Sequence, residues 1–138
     1  MRSLRPGDVT ALVSLSRRLS GNESAEDWSG LLARSQEGRA AAFGIEVDGD
    51  LVGYAAAEVR MAFGLPRVTG WIESFAVDLP WRGRGYGRAL IEALFARLAE
   101  LGAERVLTLV PLHDLSTTPF FRELGFRDEP LRCLGRAL

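Results

Sequence analysis

Residues 81–88 read WRGRGYGR, three glycines and three arginines within eight positions, with an apolar run before them and a long periodic run after them. A stretch this glycine-rich cannot fill a core, and its charge is all positive. Strand, glycine turn, helix is the order that builds an anion site, because the first turn of a helix leaves backbone N–H groups unpaired and carries a partial positive charge. The upstream run, VTGWIESFAV, is rich in β-branched and aromatic residues and reads as a strand. Downstream, Leu90, Ile91, Leu94, Phe95, Leu98 and Leu101 recur at helical spacing, and Gly102 ends the stripe.

Two nucleotide loops fail on residues. A Walker loop needs Gly-Lys-Ser/Thr, and the dinucleotide fingerprint needs a third glycine where Arg88 stands. The chain holds no lysine, so neither a P-loop lysine nor a Schiff-base lysine exists in it. One cysteine, Cys133, and one histidine, His113, cannot assemble the usual Cys/His zinc sets or an intrachain disulfide, and no metal site is expected. His113 lies beside Asp114 without a G-x-S-x-G elbow, which leaves it an ordinary loop residue.

The bulk properties fit the same picture. A length of 138 residues with 47% hydrophobic and 25% charged residues predicts one domain over residues 1–138. The net charge of -1 argues against nucleic acid, since the basicity is confined to one loop and suits a small anion. No apolar stretch approaches a membrane span and the start, MRSLRPGDVT, has no apolar signal core; the expected location is cytoplasmic.

Reading outward completes the fold. A short opening strand at 2–5 gives way to Pro6-Gly7-Asp8 and a helix carrying Leu12, Val13, Leu15 and Leu19, and Ser24-x-x-Asp27 resembles a capping box at the head of a second. AAAFGIEV and LVGYAAAEVRMA flank Asp48-Gly49-Asp50, a strong hairpin signal, because Asp-Gly supplies the positive φ of a primed turn. After the glycine loop come the long helix at 89–101, a buried strand at 106–110, a short helix at 117–124, and one or two closing strands within 126–138. The expected order is β-α-α-β-β-β-α-β-α-β, an α/β fold with a mixed sheet and helices on its faces.

The six residues Arg82-Gly83-Arg84-Gly85-Tyr86-Gly87 meet the Arg/Gln-x-x-Gly-x-Gly/Ala signature of motif A of the GNAT superfamily of acyl-CoA-dependent N-acyltransferases, which this chain resembles. The likeness extends to Val77, Pro80 and Trp81 before the loop, to Phe121-x-x-x-Gly125-Phe126 near the end, and to the opening LRPGD. The resemblance implies a central, mostly antiparallel sheet whose strands at 72–77 and 106–110 splay apart. It also implies that acetyl-CoA is the cosubstrate, that the amides of Gly83, Arg84, Gly85, Tyr86, Gly87 and Arg88 take its pyrophosphate with help from Arg82, and that Phe75, Ala76, Val77 and Phe121 border its arm. The function it implies is N-acetyl transfer to a primary amine of a small molecule or peptide; the alternative is a catalytically weak acyl-CoA-binding sensor or regulatory module.

Acyl transfer to an amine needs a base, a polarised carbonyl and a proton for the thiolate. Glu73, the one ionisable residue of WIESFAV, is the candidate base: grouped with Trp71, Phe75 and Val77 on one strand face it should have a raised pKa. Glu58 is the reserve. In the family, a backbone N–H at a bulge in this strand polarises the carbonyl, which here falls near 75–77. Phe121 stands where the family's proton-donating tyrosine does, leaving water or the hydroxyls of Ser116, Thr117 or Thr118. Glu23, Glu26 and Asp27, with Trp28, Glu58 and Asp114, are candidates for the acceptor wall and suggest a cationic amine; the acids of the helix's first turn equally suit its dipole and cap. Phe63 and Leu65 could line the acceptor site or a homodimer contact.

Overall fold

A computed structural model describes residues 1–19, 21–61 and 67–138. Phe63 and Leu65, considered for the acceptor site or a dimer contact, lie outside the described residues. The elements are β1 (Arg2–Ser3), α1 (Val9–Arg18), α2 (Ala25–Gln36), β2 (Ala40–Val47), β3 (Asp50–Met61), β4 (Val68–Val77), α3 (Tyr86–Glu100), β5 (Arg105–Thr108) and α4 (Thr117–Glu123), with single 3-10 turns at Pro6–Asp8 and Leu79–Trp81. The sheet runs β1-β2-β3-β4-β5. Its first four strands pair antiparallel, and β4 pairs β5 in parallel across the α3 crossover. This is the mixed α/β fold expected, with helices on both faces.

Alternation along β2 and β3 sorts the core into two layers. Ala40, Ala42, Tyr54 and Ala56 face Leu12, Leu15, Trp28, Leu31 and Leu32 of α1 and α2. Ala41, Ala55 and Ala57 face Leu90, Ile91, Leu94 and Leu98 of α3. Between two helical layers both faces of the middle strands are covered, so residues 40–42 of β2 and 52–57 of β3 are all buried, which is why these strands read as near-continuous apolar runs. The small side chains keep both helical layers close to the sheet. At Gly70 the approach is closest: a Cβ there would lie 2.7 Å from Leu98 Cδ1.

Two capping expectations resolve differently. Ser24 and Asp27 form the capping box, each side chain bonded to the other's backbone N–H. Asp8 does not bond the first turn of α1; its carboxylate accepts from Arg5 N–H at 2.7 Å and from the Arg2 guanidinium. Trp28, a candidate for the acceptor wall, is a core residue instead, 2% exposed and edge-on to Tyr54 at 5.1 Å. It sits on the face of α2 that meets the sheet, opposite the acids of the first turn.

The closing strands expected within 126–138 do not form. Phe126 is held by its N–H to Phe121 O and by packing on Phe95 and Phe121, but residues 127–138 are exposed and without regular structure. The Arg105–Glu129 ion pair, 2.8 Å, ties this segment to β5 without a hydrogen-bonded ladder. Apolar spacing alone, as at Leu131 and Leu134, makes no strand without a partner to pair with.

Candidate functional site

The glycine loop leaves β4 through an anchored turn. The Asp78 carboxylate accepts from Leu79 N–H, and Arg82 Nε donates to Val77 O at 2.7 Å. Gly83 and Gly85 both take positive φ, 76° and 83°, a region that costs an L side chain about 1–2 kcal/mol. Gly85 is the N-cap of α3. Among the described residues, chain neighbours aside, a Cβ on either glycine would meet no atom within 4 Å, so both face open space at the helix terminus, where N–H groups lack carbonyl partners. Gly87 is constrained from the other side: a Cβ there would come within 3.2 Å of the Phe75 ring and 3.3 Å of Phe120, themselves stacked at 5.1 Å.

The three arginines divide their work. Arg82 ties the loop to the strand end, Arg84 lies over the Trp81 ring at 4.8 Å, and Arg88 pairs with Glu92 one turn along the helix. Each guanidinium thus has a partner within the loop or the helix, and the open space lies at the backbone of Gly83 and Gly85.

Beside this loop, reached through the Phe75 ring that lies against Gly87, a cleft opens between β4 and the chain after β5. Pairing of the two strands stops at Ile72 and Thr108, while β4 continues to Val77. The gap, about 170 Å³, is lined by residues 72–75, Thr108, Leu109, Val110, Pro111, Asp114, Thr117 and Phe121. Phe121 borders it from within an aromatic cluster, 4% exposed, against Phe75, Phe120 and Phe126.

At the cleft's inner end β4 carries a bulge. Ala57 faces Ile72 and Ala56 faces Ser74, so Glu73 is the extra residue. The bulge thus falls at Glu73 rather than near 75–77. It also breaks the alternation on which the surroundings of Glu73 were expected. Ile72, Phe75 and Val77 all belong to the α3 face, whereas Trp71 lies opposite Glu58 toward α2. Glu73 is accordingly not set among apolar rings: its Oε1 accepts from Arg60 Nη2 at 2.6 Å and its side chain is 36% exposed.

Glu58 stands two strand positions from Arg60 and shares that guanidinium, at 3.0 Å, while its other oxygen pairs with Arg34 of α2. Burial raises its pKa, yet the two guanidiniums outweigh burial and hold the carboxyl below the usual range, so it is a fixed anion rather than a spare base. Glu23, in the α1–α2 connection, accepts from Ser74 Oγ at 2.7 Å and from the buried Ser16 Oγ at 2.5 Å. Burial again opposes ionisation, but the two hydroxyls leave its pKa lowered, and it pairs with no cation among the described residues. Glu26 is exposed on the first turn of α2, and among the described residues no hydrogen bond or ion pair joins its side chain to this group.

Asp114 borders the cleft but is spent locally. It accepts from the Thr117 hydroxyl at 2.6 Å, from the N–H groups of Thr117 and Ser116, and from the Ser116 hydroxyl, which together hold its carboxyl at about 2. Of the hydroxyls expected to replace a tyrosine, Thr117 lines the cleft with its proton directed to Asp114. The sequence reading missed Arg34, Arg60, Ser16, Ser74 and Phe120. Arg60 had a signal, since it lies two residues from Glu58 and so on the same strand face. The others depend on contacts between distant segments.

Among known proteins, a probable spermine N(1)-acetyltransferase of Bacillus subtilis subsp. natto (strain BEST195) is 26% identical over 87 residues, covering 61% of this chain and 57% of that protein. An N-alpha-acetyltransferase of Sulfurisphaera tokodaii is 32% identical over 100 residues, 67% of this chain and 60% of that one. The matches thus span less than two thirds of these relatives' own length. The solved structure of the aminoglycoside acetyltransferase AAC(6')-Iy, in complex with the bisubstrate analog CoA-S-monomethyl-acetylneamine, superposes over 99% of this chain and 96% of that one with a TM-score of 0.82 at 18% identity, a likeness of fold. The sequence profile of the Acetyltransferase (GNAT) family matches residues 10–126, and the chain belongs to that family.

Proposed function

We propose that this chain is an acetyl-CoA-dependent N-acetyltransferase acting on a primary amine of a small molecule or peptide. The observation that carries the reading is the neighbourhood of three parts: an open backbone turn at Gly83 and Gly85, a splayed cleft whose Phe75 lies against Gly87 of the same loop, and a bulge in that cleft bearing a carboxylate. The amides of 83–88 would hold the pyrophosphate, and Phe75, Ala76, Val77 and Phe121 would border the arm. When bound, acetyl-CoA supplies the activated thioester. The bulge removes β4 from the β3 ladder for one residue, and the backbone amide freed there is the donor that would polarise the carbonyl.

Glu73 is the residue assigned to take the amine's proton, directly or through water. Glu23 and Glu58 lie on the same side and favour a cationic acceptor; the relatives named above are by their names a spermine N(1)-acetyltransferase, an N-alpha-acetyltransferase and an aminoglycoside acetyltransferase, all of them acting on amine nitrogens. The second reading, an acyl-CoA-binding module with weak or no turnover, rests on Phe121, which offers no proton to the departing thiolate. Acetyl-CoA binding by calorimetry, set beside release of free CoA over amines, polyamines, aminoglycosides and peptides, separates the two. Turnover on any acceptor supports the enzyme, binding without turnover the module, and no binding at all sinks both.

A further inference from the structure

The charge at the bulge is arranged in an unusual order. Arg34, Glu58, Arg60 and Glu73 form one line of alternating sign that ends on the residue assigned as base. Within it the two ends differ in freedom. Glu58 is 14% exposed and gripped from both sides, whereas the Arg60 side chain is 52% exposed and touches Glu73 through one nitrogen, the same Nη2 that reaches Glu58. A contact so exposed is weak and readily exchanged for another cation. The protein has put a cation of its own between two carboxylates, directly in front of Glu73.

We propose that Arg60 is a displaceable counter-ion occupying the acceptor's place: a cationic amine binds by taking over the Arg60 contact with Glu73. This rests on the reading of Glu73 as the acceptor side of an acetyltransferase. The surrounding charge sets the sign of the preference. Glu23, Glu58 and Glu73 against Arg34 and Arg60 leave the group negative, and among the described residues Glu23 pairs with no cation. An incoming cation therefore restores the charge that is lost when Arg60 swings toward solvent, while an acceptor bearing a carboxylate next to its amine would bring a further negative charge to a group that is already negative. Arg60 acts here as a specificity-determining residue, making the protein's affinity for its acceptor depend on how much better that acceptor fills the gap than its own guanidinium does.

The test uses three amines of one length: butylamine, 1,4-diaminobutane and 4-aminobutanoate, in the parent, Arg60→Gln and Arg60→Lys. Removing the competitor should lower KM for butylamine and 1,4-diaminobutane about 2–5-fold in Arg60→Gln, the worth of an exposed ion pair, without a matching gain for 4-aminobutanoate. Arg60→Lys keeps a cation in place and should return KM toward the parent's, which loss of mere packing would not. A KM unchanged in Arg60→Gln, or a fall in kcat alone, overturns the proposal and leaves Arg60 a strut for Glu58. A KM that rises for 4-aminobutanoate overturns it in another way, making Arg60 a receptor for the acceptor's carboxylate. Absence of turnover with all three amines in every variant also overturns it; acetyl-CoA binding, measured separately by calorimetry, then tells whether the cosubstrate reading fails with it.

Discussion

Gly85→Asp separates the two things the glycine loop does. In the folded chain position 85 holds φ at 83° and caps α3, with no atom of the described residues, chain neighbours aside, within 4 Å of a new Cβ. The variant therefore meets no clash and is charged for backbone strain alone. Left-handed backbone costs an L residue about 1–2 kcal/mol, with Asp among the residues that tolerate it best, and a carboxylate at a helix N-cap recovers part of this. The net loss should be about 1 kcal/mol, a fall in Tm of roughly 3–5 °C for a chain of this length. Binding should suffer far more. A carboxylate about 5 Å from one phosphate charge, at an effective dielectric constant near 20, is repelled by about 3 kcal/mol, and the side chain also holds the phosphate off the backbone. Acetyl-CoA affinity should drop on the order of 10²–10³-fold. Calorimetric titration with acetyl-CoA at low and high salt, beside thermal unfolding, reads both quantities. Gly85→Asn, alike in shape and uncharged, should lose the smaller share and show little salt dependence, while the Asp deficit shrinks as salt rises. A folded Gly85→Asp that binds as the parent does refutes the cradle and with it the coenzyme A assignment.

Three further outcomes follow from the same geometry. Glu73→Gln should lower turnover about 10²–10⁴-fold near neutral pH, with partial recovery as pH rises and the amine loses its proton unaided; a parent-like rate and pH profile would pass the role to water or to Glu23 through Ser74. Phe121→Tyr should leave acetyl-CoA affinity unchanged and turnover unchanged or modestly raised, because an unperturbed thiol has a pKa of about 8.5 and its thiolate is a tolerable leaving group; lost affinity would mean that position 121, buried among Phe75, Phe120 and Phe126, has no room for the hydroxyl. Asp114, held at about 2 against an ordinary 3.8, contributes stability that is full above about pH 4 and fades as pH falls through 2. Asp114→Asn should flatten the dependence of thermal stability on pH across that window, and curves that run parallel to the parent's would show the carboxylate not to be bonded at α4.

The parts of this molecule that were legible in sequence are those set by local rules. Asp48-Gly49 fixes the β2–β3 hairpin, Ser24 and Asp27 fix the head of α2, and the stripe from Leu90 to Leu98 fixes the buried face of α3, each within one turn or a few residues of chain. The glycine loop was legible for the same reason, since its conformation is written in its own residues. The acceptor side was not, and a single feature accounts for most of the difference. Strict alternation puts Trp71, Glu73, Phe75 and Val77 on one face, which makes Glu73 a carboxylate among rings. One extra residue in β4 undoes that grouping, because a shift of one position exchanges the faces of everything beyond it. Phe75 and Val77 move to the α3 layer, Ser74 turns to Glu23 across 51 positions of sequence, and Glu73 is left facing an arginine on the neighbouring strand. No residue type marks such a bulge in advance, since what it changes is which pairs of residues meet. The surroundings of Glu73 are consequently built by Arg60 and its partners and not by the apolar run around it, so what this carboxylate faces is decided by a cation of the neighbouring strand.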